Sequence, residues 1–110
     1  MIFPFDKLNV DVSCVGNHEL DKGIDKASEL IKKTKSPWVM SNLLEIDKDN
    51  RPIAGAKPYH IIEKQGLRVG IIGTCDEGWM DCLIPDIDCK NLKVIDPNYS
   101  AEHYATLLRN

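Results

Sequence analysis

Gly16-Asn17-His18-Glu19-Leu20-Asp21 is the stretch of this 110-residue chain where residue types able to do chemistry crowd together. Asn17 offers a neutral hard oxygen, the kind a divalent cation accepts. His18 beside it carries the side chain that titrates near neutral pH, suited to passing a proton or holding an anion. Glu19 and Asp21 add carboxylates to the same short loop. Plain readings stand beside the chemical one. Asn17-His18 could be a left-handed turn with a surface histidine, Glu19 could orient the loop by hydrogen bonds, and Asp21 could cap the helix that follows.

The flanking residues say where this loop must sit. Val10, Val12 and Cys14 alternate with Asp11 and Ser13, which predicts a short buried strand over Val10 to Val15. The glycine turn at Gly16 therefore lies at a strand's carboxyl end, the place where α/β folds gather ligands. Asp21 is the expected N-cap of a helix over about Lys22 to Thr34. Ile24, Ala27, Leu30 and Ile31 share one of its faces, and Lys32, Lys33 and Lys35 lie at the end that favours cations. Trp38 to Leu44 reads as one buried strand. Asp47 to Pro58 reads as a loop. Tyr59 to Ile62 and Leu67 to Ile72 read as a hairpin around Glu63-Lys64-Gln65-Gly66. Cys75 to Pro97 is irregular, and Pro97-Asn98-Tyr99-Ser100 opens a last helix with Ala101, Tyr104, Ala105 and Leu108 on one stripe. Mixed strands and helices in this order predict an α/β fold.

Composition narrows the function classes. Apolar residues make up 43% and charged residues 28%, an ordinary globular balance in a chain long enough for one domain. The net charge of −3 offers no basic surplus for a phosphate backbone, so no nucleic-acid partner is expected. No apolar run approaches the roughly 18 residues of a membrane helix, and no membrane partner is expected. Met1 to Phe5 is too short for a signal-peptide core. Four cysteines are too sparse for a disulfide scaffold, which makes a cytoplasmic location the default expectation.

Gly16-Asn17-His18-Glu19 followed by Asp21 resembles the signature of calcineurin-like metallophosphoesterases in their 5′-nucleotidase branch. Ser41-Asn42-Leu43 is similar to that branch's small-Asn-apolar strand. Lys57-Pro58-Tyr59-His60-Ile61-Ile62-Glu63, Gly66 and Val69-Gly70-Ile71-Ile72-Gly73 are similar to its hairpin, and Glu77-Gly78-Trp79 to a motif of one subgroup. Leu20 stands where phenylalanine is more usual. The resemblance covers nearly the whole chain and implies a partial metallophosphoesterase catalytic domain over residues 1–110. Its expected form is a β-α-β unit, a β-hairpin and a helix from an α/β sandwich. The chain reads as an excerpt truncated at both ends, because its last helix stops at Arg109-Asn110 without a C-cap glycine and its first strand starts abruptly.

The resemblance further implies two divalent metal ions of the Mn, Zn, Fe or Co class and a nucleotide or other phosphomonoester as substrate. Asn17 corresponds to a metal ligand. His18 corresponds to the catalytic histidine that contacts the phosphate and assists the leaving group. Gly16, Glu19 and Asp21 support the loop, and Asn42 could either reach the site or serve packing. The family's Asp-x-His, Gly-Asp and Gly-His-x-His motifs have no counterpart here, so the chain supplies one ligand and flanking segments of the domain would supply the rest. The alternatives are a remnant without activity and, further off, a thiol-metal module built on Cys75, Cys82 and Cys89. His60 and His103 read as structural, and Trp79 as a core or loop anchor.

Overall fold

The computed structural model describes residues 7–82 and 89–110, with no side-chain description for 80–82 or Cys89. The expected strand before the loop is shorter than its apolar alternation suggests. Strand β1 is Ser13–Cys14, pairing in parallel with β2, Trp38–Val39. Ser13 and Val15 turn inward and Cys14 is exposed. The Ser13 hydroxyl is tolerated inside because it meets the Ser36 hydroxyl at 3.3 Å.

Helix α1 is Ile24–Lys33, and Ala27, Ile24, Leu30 and Ile31 pack on the core as their spacing requires. Its N-cap is Gly23, not Asp21. The chain reaches the helix through a second turn, in which the Gly23 N–H donates to Leu20 O, and Gly23 takes φ +94°, a conformation that glycine alone adopts cheaply.

The expected single strand Trp38 to Leu44 is two strands, because its partners change midway. After β2, Met40 and Ser41 donate to Lys57 O and Gly73 O. Strand β3, Leu43–Glu45, then joins an antiparallel sheet between β4, Arg51–Pro52, and β7, Leu92–Val94. Asn42 sits at the change. It is fully buried. Its Nδ2 donates to Cys75 O and Ile95 O, and its Oδ1 accepts from Cys75 N, each at 2.8 Å. The segment read as loop, Asp47 to Pro58, holds β4 and places Ile53, Ala54 and Ala56 in the core.

The hairpin is longer than expected. Strand β5, Tyr59–Lys64, pairs along its length with β6, Leu67–Ile72. Gln65 and Gly66, with φ +52° and +80°, make the two-residue turn whose twist suits adjoining strands. Helix α2, Pro97–Arg109, starts on an Asp96 cap whose Oδ1 accepts from Asn98 N at 2.7 Å. The stripe of Ala101, Tyr104, Ala105 and Leu108 faces the hairpin. The Tyr104 ring lies 5.8 Å from that of Tyr59, and Leu108 reaches so close to Gly70 that a Cβ there would stand 2.8 Å from it. Alternation along β6 turns Leu67 and Val69 to the face away from α2, where they are 68% and 41% exposed. Among the described residues no helix is long and apolar enough to cross a membrane.

This packing has two measurable consequences. Asn42→Ala strands three backbone groups, two of them buried and one partly buried, and a buried one costs about 1–3 kcal/mol when unsatisfied. Urea unfolding should show a loss of about 3 kcal/mol or a chain that no longer folds, and a loss under about 1 kcal/mol would mean the clamp is dispensable. The open hairpin face should bind an apolar dye under native conditions, and Leu67→Lys should reduce the signal. A folded chain that binds no dye would contradict the exposed face.

Candidate functional site

The loop after β1 folds around two carboxylates. Asn17–Leu20 forms a single 3-10 turn, with Leu20 plugged into the core as its anchor. Glu19 bends back so that its Oε1 accepts the Gly16 N–H at 2.7 Å, satisfying a donor at the turn's open end. The return is close: a Cβ at residue 16 would sit 2.8 Å from Glu19 Oε1, and the carboxylate would have to shift to make room. Glu19 thus holds the loop in shape, one of the two roles open to it from sequence.

Asp21 does something the sequence reading did not assign. Its Oδ2 accepts from His18 Nδ1 at 3.0 Å. A carboxylate has no hydrogen to give, so Nδ1 carries the proton and Nε2 is the nitrogen left for anything outside. The hydrogen bond to Asp21, then its charge, raises the imidazole pKa above the ordinary histidine value. The His18 side chain is 82% exposed, so the pair orients the ring more than it stabilises the fold. The spacing i, i+3 across a tight turn is the signal that could have revealed it. Asn17, half-buried beside this ring, has no hydrogen bond from its carboxamide among the described residues. The loop also borders a groove of about 600 Å³ along α1, lined by Lys22, Lys26, Leu30 and Lys33.

Gly16, Asn17, His18, Glu19 and Asp21 are therefore one unit. Asn42 is engaged elsewhere, through its bonds to Cys75 and Ile95. His60 lies on β5, and His103 on α2 stacks on Tyr99 at 6.2 Å. Trp79 packs against the core. Among the described residues no three ligating side chains gather to hold a metal ion. Of the three thiols considered as a cluster, the side chains of Cys82 and Cys89 lie outside the described residues. The Cys75 thiol is pushed up to about 11, by burial first and by the neighbouring Cys14 second, so at neutral pH it is protonated.

Because Asp21 favours the imidazolium, Asp21→Asn should lower the His18 pKa toward the ordinary value. The bonus from the pair is present below the unfolded histidine pKa and fades as pH rises through the higher folded one. An NMR titration of His18 in both forms reads this directly, and identical midpoints would show that the pair does not form in solution.

No protein-family model matches the chain. A 5′-nucleotidase of Vibrio cholerae serotype O1 is 28% identical over 71 residues, which is 64% of this chain and 12% of that protein. The NAD nucleotidase structure from Haemophilus influenzae superposes with TM-score 0.70 and 27% identity, covering 92% of this chain and 19% of the other. A calcineurin-like phosphoesterase from Bacillus subtilis gives TM-score 0.78 and 26% identity over 98% of this chain and 34% of its own. The 5′-nucleotidase precursor of Thermus thermophilus shares the fold, with TM-score 0.74 at 24% identity, over 97% of this chain and 21% of its own. The chain spans a minor part of each, and over that part its sequence and its partial α/β fold are similar to those of calcineurin-like phosphoesterases and 5′-nucleotidases.

Proposed function

We propose that the Gly16–Asp21 loop is one wall of a metal-dependent phosphomonoesterase site, acting on a nucleotide or a similar phosphomonoester. The observation that carries this reading is an Asn17 carboxamide without a hydrogen bond among the described residues, set beside an exposed imidazole steered by Asp21. The similarity to 5′-nucleotidases supports the substrate class.

Asn17 fits one position in a metal's ligand set, as a neutral oxygen. A hard cation takes about six ligands, so the remainder belongs to other parts of the working protein, and we propose that the 110 residues alone do not complete the site. Two divalent ions of the Mn, Zn, Fe or Co class would, when bound, activate a water and offset charge on the displaced oxygens. The chain's own contribution is that of His18. Asp21 fixes the ring at Nδ1 and favours the imidazolium, whose second proton, on the outward Nε2, is donated in a hydrogen bond to a phosphate oxygen and passed to the departing oxygen, leaving the neutral ring. Glu19 keeps Asn17 and His18 in register by holding the turn.

Incubated with manganese, zinc or cobalt and a chromogenic phosphate ester, the 110-residue chain should show no turnover above background. Chelator-sensitive turnover would overturn the claim of incompleteness. In the natively expressed protein, His18→Ala should lower kcat by roughly 10²–10⁴-fold, with metal content nearly intact. Asn17→Ala should lower metal content and activity together. The His18 defect should shrink along a series of esters with better leaving groups. A uniform defect would leave His18 an electrostatic role only, and full activity in His18→Ala would end the reading.

A further inference from the structure

A second concavity, of about 270 Å³, opens between α1 and the β3–β4 turn and shares no lining residue with the groove beside His18. Lys32 reaches it from the last turn of α1, Lys48 from the turn after β3, and Arg51 from β4. Arg51 stands directly opposite Glu45 in the β3–β4 ladder, a placement from which arginine and glutamate ordinarily pair. They form no ion pair here. Glu45 is only 8% exposed and turns inward, where its Oε2 accepts the Ala54 N–H at 3.0 Å. Lys32, Lys48 and Arg51 make no ion pair among the described residues, and neither does Asp25 on the same rim. Three separate elements thus bring cations to one cleft, while one of its two carboxylates is committed to a backbone amide.

Like charges held together lower their mutual repulsion by admitting a counter-charge. Lys32, Lys48 and Arg51 outnumber Asp25 and Glu45 in the lining, so the cleft favours an anion. The arginine fork matches the oxygens of a phosphoryl group, two lysines add point charges, and the Ser28 hydroxyl lies in the lining. We propose that this cleft is a binding site for a phosphoryl group, free or carried on a small molecule. The site is independent of the phosphoesterase reading and uses none of its residues.

The test titrates the 110-residue chain with inorganic phosphate, glycerol 3-phosphate and acetate at constant ionic strength, read by amide NMR shifts. Saturable shifts at Ser28, Lys32, Lys48 and Arg51 are expected with both phosphoryl probes, and acetate should bind about tenfold more weakly. Tighter binding of glycerol 3-phosphate would identify a phosphomonoester as the occupant, and equal binding the free ion. Arg51→Gln should weaken phosphate binding about tenfold with an unchanged circular dichroism spectrum. Should that variant not fold, Lys32→Gln and Lys48→Gln, at exposed positions, carry the same test. Absence of saturation, or affinity unchanged in the variants, overturns the proposal. So do shifts confined to the His18 loop and lost in His18→Ala, a result that would speak for the other site instead.

Discussion

At Asn42 the central extended path of the molecule exchanges one set of neighbours for another. Before it, the backbone is occupied by β1 and by Lys57; after it, by β7 and β4. Such an exchange leaves peptide groups of the adjoining chains facing a gap, and in a buried position each bare group is costly. The Asn42 side chain fills that gap as a short piece of strand would, donating to Cys75 and Ile95 and accepting from Cys75. The segment following β6 and the segment leading to α2 are thereby tied to one residue. The small sheets are joined through this amide, together with the backbone bonds of Met40 to Lys57 and Ser41 to Gly73, rather than through continuous strand pairing.

The candidate loop depends on that body but is built by different means. Leu20 is its root in the core, and Glu19 closes its base on the Gly16 amide. Asp21 then restrains the one ring that projects into solvent. Each carboxylate is used within the loop, so neither needs a distant partner to hold its place. A site of this design has its shape before anything binds, which reduces the ordering that a ligand or a metal must impose.

The hairpin and α2 form a second unit, joined by the tyrosine pair and by Leu108 against Gly70. A two-stranded hairpin has little stability alone, and the helix supplies cover for one of its faces. The other face keeps Leu67 and Val69 in contact with solvent. Its tie to the rest of the molecule includes the Lys64–Asp11 ion pair at 3.0 Å, between partly exposed groups and hence weak.

Features written in neighbouring residues were legible in the sequence. The alternation around Gln65-Gly66 specifies the hairpin, and Pro97 with the stripe from Ala101 to Leu108 specifies α2 and the face it buries. The position of Asn17-His18 just past a strand was equally plain, because a glycine turn and an apolar run suffice to mark it. The inward face of β1 was not, since an alternation of Val, Cys and Ser has no preferred side until Ser36 offers Ser13 a partner. Strand β7 was hidden in an irregular stretch because three residues are too few for alternation to mark, and it is defined by its pairing with β3. Asp21 looked like a helix cap until the turn brought it to His18. Asn42 bonds residues 33 and 53 positions away, and no periodicity records contacts that distant. Local pattern therefore determined which elements exist and where the chemical residues stand. Tertiary structure decided which polar groups are spent on holding the fold and which are left free, because only packing brings distant donors and acceptors together.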